Sequence, residues 1–169
     1  MSADLRSLSL WWDTLPAELR TPLGLPLGAD ISADVAIVGG GFTGLWTAYY
    51  LAKADPTLRI VILEAEQAGF GASGRNGGWA SALFPASLDA LARASSRDAA
   101  VRMKRTMNAS VDEIGRVAAA EGWDIDWHKG GTVVLARTPL QLQTARDEVA
   151  ALRKWGFGSD DLALLDARE

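Results

Sequence analysis

Two short β-branched runs, joined by a glycine turn and an unbroken helical stretch, constrain this chain more than any other feature. Asp34-Val35-Ala36-Ile37-Val38 stops at Gly39-Gly40-Gly41-Phe42-Thr43-Gly44, and the following LWTAYYLAKA contains no Gly or Pro and is apolar on most faces. Such a run predicts a helix wedged between other elements, which Asp55-Pro56 then ends. Arg59-Ile60-Val61-Ile62-Leu63 is a second apolar run, and both runs read as buried strands. Strand, helix and strand over about thirty residues require a crossover, so the strands are expected to be parallel and right-handedly connected. The fold class is therefore α/β.

The turn contains G-x-G-x-x-G, which is weak alone and strong between a strand and a helix. Gly39 permits the tight turn, Gly41 leaves room for a pyrophosphate to approach the backbone, and Gly44 lets the helix pack close to the strand. The N–H groups at the helix start, Phe42 and Thr43 included, carry partial positive charge that would face phosphates. Ala48, four residues past Gly44, is the small residue expected where that helix leans on the sheet. Glu64, with Ala65 beside it, lies twenty residues beyond Gly44 at the tip of the second strand. A carboxylate there can accept hydrogen bonds from adenosine ribose hydroxyls and repels a 2′-phosphate. NAD and FAD share this grip, so the fingerprint alone does not separate them, and glycines serving only a tight turn are the simpler alternative.

The stretch GASGRNGG, Gly71 to Gly78, follows Glu64 closely. A nicotinamide domain would continue its βα alternation at this point, whereas a loop of this composition can fold back over a pyrophosphate. It would offer the Ser73 hydroxyl, the Arg75 guanidinium, the Asn76 amide and the bare N–H groups of Gly77 and Gly78. A slack linker needs neither Arg75 nor Asn76. The loop therefore favours FAD.

Charge and composition exclude several other classes. A net charge of −4 and no long Lys/Arg run give no field for a nucleic acid backbone. Zero cysteines exclude disulfides, thiol catalysis and attachment of a flavin through sulfur, so FAD would be held non-covalently as far as these residues go. No histidine or carboxylate spacing suits a metal. No apolar run approaches the roughly 18 residues of a membrane span, and no signal peptide pattern is present, so a cytoplasmic protein is expected.

The remaining sequence divides around this unit. Residues 1–33, with Pro16, Pro22, Pro26 and the Trp11-Trp12 pair, read as an irregular arm pinned by ring burial. Residues 34–121 form the nucleotide-binding part, including a helical excursion over 87–121 that breaks at Ser95-Ser96, with Ser96 as N-cap. In its second helix Ala100, Met103, Met107, Ser110, Ile114 and Val117 follow steps of three and four, which predicts one buried stripe. Residues 122–169 read as the start of a further, α+β domain. It would hold a strand pair, Trp123–Trp127 and Thr132–Ala136, around Gly130-Gly131. A helix then opens at Thr138-Pro139-Leu140-Gln141, buries Leu142, Ala145, Val149 and Leu152 on one face and stops at Gly156. That domain has no obvious sheet to join within 169 residues, so the chain reads as truncated or as a fragment.

DVAIVGGGFTGLWTAYYL, VILEAE and GFGASGRNGGW, with the Trp-bearing arm, together resemble the N-terminal part of FAD-dependent oxidoreductases of the D-amino-acid oxidase superfamily, nearest the γ-glutamylputrescine oxidoreductase-like branch. The resemblance covers roughly residues 8 to 136. It implies a Rossmann-like FAD-binding domain of the glutathione-reductase type, followed by the start of an α+β substrate domain. It places Gly39, Gly41 and Gly44 at the pyrophosphate, Glu64 at the adenosine ribose, and Ser73 to Gly78 along the pyrophosphate and ribityl chain. The implied substrate is a small amine or amino acid. Its C–N bond is oxidised by hydride transfer to flavin, the imine hydrolyses, and oxygen or another acceptor takes the electrons.

No catalytic acid or base stands out. His128, the lone histidine, sits beside the turn in WHKGG and reads as structural or solvent-facing. Asp124 and Asp126 read as the solvated face of a strand. Arg75 is a candidate for positive charge near a reduced flavin. Two other classes stay open: a non-catalytic nucleotide-binding or interaction module, and a NAD-dependent dehydrogenase.

Overall fold

The structure, a computed structural model, describes residues 8–19, 24 and 26–166. Pro22 and the first seven residues of the arm lie outside the described residues. The chain divides into two compact units, 1–79 and 80–169. The sequence alone predicts boundaries after residues 33 and 121.

The first unit is built on the expected βαβ. Strand β1 (Val35–Val38) and strand β2 (Ile60–Leu63) pair in parallel, in register from Val35 opposite Ile60 to Val38 opposite Leu63. Between them runs helix α2 (Phe42–Ala54), which packs on both strands. Asp55 caps its end and its carboxylate oxygen accepts from the Thr57 amide at 3.0 Å. At the start of the sheet Asp34 takes Arg59 through its side chain, with Oδ2 at 3.0 Å from Nε and Oδ1 at 2.9 Å from Nη2. This exposed pair adds little stability and lies one position before the register in which Val35 meets Ile60.

The strands are less buried than their apolar sequence predicts. Burial alternates along β1, and Val38 is 87% exposed. A parallel sheet buries both faces only when helices cover both; here a single helix covers a pair of strands among the described residues. The arm also departs from expectation. It contains helix α1 (Leu10–Thr14), N-capped by Ser9, whose hydroxyl accepts from the Trp12 amide, and a 3-10 turn at Ala17–Leu19. Trp11 is 45% exposed and Trp12 is half-buried, so the pair is only partly covered.

In the second unit the helical break falls at Ser95-Ser96. Ser87 caps helix α3 (Leu88–Ala94), and Ser96 caps helix α4 (Arg97–Glu121) by accepting from the Ala99 amide at 3.1 Å. Gly122, at φ +68°, closes α4 in the left-handed conformation that glycine adopts without strain. The stripe on α4 is only partly buried. Ala100 and Val117 are inside, Met107 and Ile114 are intermediate, and Met103 and Ser110 are exposed. α3 packs against α4 but has just seven residues, too few to cover a helix more than three times as long.

Neither predicted strand of the last third forms among the described residues. Asp126 adopts φ +51°, which breaks the alternation an extended run needs. Trp127 instead turns its indole onto α4 at Gly115, where a Cβ would lie 2.2 Å from Nε1. Val133, Val134 and Leu135 are 72%, 86% and 77% exposed. Helix α5 (Pro139–Lys154) opens as expected, with the Thr138 hydroxyl accepting from the Gln141 amide, although Gln141 Oε1 accepts from Arg137 rather than from Thr138 itself. On α5 Ala145, Val149 and Leu152 are half-buried and Leu142 is exposed. Among the described residues no helix is long and apolar enough to cross a membrane.

Gly44 is where α2 meets the sheet most closely. A Cβ there would lie 2.1 Å from the Gly39 carbonyl oxygen and 3.2 Å from Ile37 Cγ2. Because the first clash is with backbone, the helix itself must shift, and Gly44→Ala is expected to cost about 1–3 kcal/mol or more. A urea unfolding midpoint equal to that of the parent would show that α2 does not sit this close.

Candidate functional site

The three glycines after β1 form a turn whose donors are claimed from two directions. Gly39, at φ +100°, turns the chain out of the strand while its amide still donates to Leu63 O at 2.8 Å. Gly40 is buried, and its amide donates to Glu64 Oε2 at 2.7 Å. Gly41 is the N-cap of α2 and has no side chain with which to cap it. The Ser73 hydroxyl, from the GASGRNGG loop, does so instead by accepting from the Phe42 amide at 2.9 Å. A Cβ at Gly41 would lie 3.0 Å from that hydroxyl. The Gly69 amide adds a third link by donating to Gly40 O at 2.9 Å.

Glu64 thus faces the turn. Besides Gly40, its carboxylate accepts from the Glu66 amide at 3.1 Å and interacts with the Ala65 amide. These backbone donors, Gly40 first, hold its pKa below the ordinary value of 4.5, against a smaller opposing effect of burial. A carboxylate oxygen accepts more than one hydrogen bond, so these contacts leave acceptor capacity on Glu64.

The loop is braced from within. Arg75 Nε donates to Phe70 O at 2.8 Å while its guanidinium lies 4.7 Å from the Phe70 ring centroid. Asn76 donates to Ser73 O at 2.6 Å and accepts from the Gly78 amide at 2.8 Å. Gly74 passes so near Gly69 that a Cβ would sit 2.2 Å from its carbonyl oxygen, and Gly78 needs φ +77°. Gly71 to Gly78 is therefore a defined fold containing a 3-10 turn, Ala72–Gly74, and not a slack connector.

The structure brings Gly39, Gly41, Phe42, Thr43 and Gly44 together with Glu64, Ala65 and Ser73 around one turn. Arg75, Asn76, Gly77 and Gly78 lie in the adjoining loop. The sequence reading missed the arm. Trp11 Nε1 donates to Asn76 O at 2.8 Å, and the Ser9 hydroxyl donates to Gly74 O. It missed Gln67 too, whose buried Nε2 has no hydrogen-bond partner among the described residues. His128 is exposed, with Nε2 3.2 Å from Asp126 Oδ1. Among the described residues no group of three or more His, Asp or Glu could hold a metal ion.

A family model described as FAD dependent oxidoreductase matches residues 34–169. The chain belongs to this FAD-dependent oxidoreductase family. It is 37% identical over 142 residues to gamma-glutamylputrescine oxidoreductase of Escherichia coli, covering 83% of this chain and 32% of that protein. It is 31% identical over 122 residues to the probable oxidoreductase OrdL of Haemophilus influenzae, covering 72% and 27%. To OrdL of Rhizobium meliloti it is 52% identical over 69 residues, covering 40% and 15%. The chain thus spans about a third or less of the length of these relatives. No solved structure gives a significant match.

The residues present fit the family's cofactor. The turn carries no side chain from Gly39 to Gly41, Gly41 offers α2 no side-chain cap, and among the described residues no side chain bonds the Thr43 or Gly44 amide, leaving donors that an anion can take.

The Glu64 contacts also make a pH-dependent prediction. A carboxyl whose folded pKa is depressed stabilises the fold above its unfolded pKa, and loses that contribution as pH falls through the folded value. Glu64→Gln is therefore expected to lower the melting temperature at pH 7, with a deficit that shrinks as the pH falls below the ordinary carboxylate range towards pH 3. An equal deficit at both pH values would detach the carboxylate's charge from the turn.

Proposed function

We propose that this chain supplies the ADP-binding part of a flavoprotein that oxidises the C–N bond of a small amine or amino acid. The observation that carries the reading is the Ser73 hydroxyl on the Phe42 amide. It joins the glycine loop to the start of α2, as a loop that lies along a pyrophosphate must be joined. Gly39 and Gly41 keep the approach to the backbone open, Gly44 lets α2 pack close against β1, and the Thr43 and Gly44 amides donate to the pyrophosphate. Glu64 accepts from ribose hydroxyls with the capacity its backbone contacts leave. Ser73, Arg75, Asn76, Gly77 and Gly78 line the path beyond.

The chemistry that FAD supplies when bound is removal of a hydride from the carbon next to an amine nitrogen, leaving an imine that water hydrolyses. An amine substrate is supported by the name of the E. coli relative, gamma-glutamylputrescine oxidoreductase. We assign no catalytic acid or base to this chain. Its role is to hold the cofactor, as one portion of a longer, cytoplasmic protein that performs the turnover. The exposed apolar run Val133–Leu135 and the half-covered sheet support that portion reading, since each is a surface that other protein would bury.

FAD titrated into the purified protein is expected to bind and to raise its melting temperature by mass action, with NAD giving no comparable shift. Glu64→Gln should weaken FAD binding by about 1.5–3 kcal/mol, the range for hydrogen bonds to a charged group. Gly41→Val should weaken it further, because the branched side chain displaces Ser73. Stabilisation by NAD alone would make the protein a nicotinamide-dependent dehydrogenase, and no response to either nucleotide would leave an interaction module.

A further inference from the structure

The arm before the nucleotide fold makes contacts that its sequence does not announce, and they converge on one target. Ser9 is the one buried polar residue among those described, 7% exposed, and its hydroxyl serves two partners. It accepts from the Trp12 amide, starting α1, and it donates to the carbonyl of Gly74. Two residues later Trp11 donates its indole N–H to the carbonyl of Asn76 at 2.8 Å. The same ring lies on Gly78, where a Cβ would fall 2.9 Å from Cζ2 and 3.0 Å from Cη2. Gly78 must be glycine there for two reasons, its φ of +77° and the ring against it. One turn of helix therefore fastens alternate residues of the loop at Gly74, Asn76 and Gly78.

At Gly74 and Asn76 the contact is to a backbone oxygen and at Gly78 it is ring packing, and together they decide where the loop's other groups point. Ser73 is bonded to the Phe42 amide on one side and is adjacent to Gly74, held by Ser9, on the other. Asn76 spans the loop through Ser73 O and the Gly78 amide while its own carbonyl is held by Trp11. A loop with four glycines in eight residues has many alternative conformations to lose on ordering. Contacts that remove those alternatives before a ligand arrives raise its apparent affinity, because a site competent only part of the time binds in proportion to that fraction.

We propose that Ser9 and Trp11 are positioning residues for the cofactor, holding the GASGRNGG loop over the glycine turn before FAD binds. This rests on the reading that the loop contacts FAD. Neither residue touches the cofactor; both act through the loop.

The test uses the whole chain with Trp11→Ala, Trp11→Phe and Ser9→Ala, and Trp12→Phe as a control on the same helix. Amide hydrogen exchange over residues 71–78 and FAD affinity are measured in each, with far-UV circular dichroism to confirm folding. In Trp11→Ala, exchange over 71–78 is expected to speed up by about threefold to tenfold, the loss of one hydrogen bond. Exchange in α2 should stay unchanged. FAD affinity should fall by up to the same factor, and Trp11→Phe, which keeps the ring on Gly78, should restore part of both. Ser9→Ala should loosen the loop, and Trp12→Phe should alter neither quantity. Unchanged exchange in Trp11→Ala, or a loosened loop that binds FAD as tightly as the parent, overturns the positioning role. A parent protein that does not bind FAD overturns the cofactor reading itself, and is seen before any variant is made.

Discussion

A helix that begins at glycine lacks a side-chain oxygen for its first amides, and here that lack organises everything around the turn. Gly41 cannot cap α2. The first amide is satisfied by Ser73, 31 residues further along the chain, and the amide of Gly40 by a carboxylate from the neighbouring strand. These two bonds tie β1, α2, β2 and the glycine loop to one point. Each is a modest net contribution by itself, but neither partner can be moved without opening the turn. The glycines that make the site accessible are therefore the reason the loop must be where it is.

How much of this could be read from sequence depended on whether the decisive interaction was local. The βαβ unit was legible because its signals lie within each element: β-branched runs, an uninterrupted helix, Asp55 as a stop. The helix starts at Ser96 and Thr138 were legible for the same reason, since a cap bonds its own chain three residues on. The predicted strands at Trp123–Trp127 and Thr132–Ala136 failed because a strand needs a neighbour, and alternation in sequence does not supply one. Asp126 at positive φ and Trp127 seated at Gly115 then take the chain elsewhere.

The candidate site shows the same division. The fingerprint positions and Glu64 follow from spacing, and the loop was marked out by its composition. Its internal bracing by Phe70, and its fastening to Ser9 and Trp11 some 65 residues away, involve a backbone carbonyl in each case. Carbonyls are present at every residue, so no residue type betrays which ones will be used. The Trp pair was visible as unusual, but ring burial is only part of what it does. Trp11 is held by its N–H and by one face of its ring, which is how an aromatic residue with a polar handle can anchor a segment while staying partly in water.

The internal bonds also bear on what a nucleotide can gain here. The amides of Gly40 and Phe42 are already paired with Glu64 and Ser73, so a phosphate competing for them exchanges one charged or polar acceptor for another and gains little. The uncapped amides of Thr43 and Gly44 are different: water is what they lose, and the partial positive charge of the helix start adds to each bond a phosphate makes there. Glu64 is in a similar position, since a ribose hydroxyl can bond its carboxylate without displacing Gly40. On the proposed reading, the framework bonds would persist on binding. Affinity would then come from donors and acceptors kept in reserve, together with the loop ordering proposed for Ser9 and Trp11.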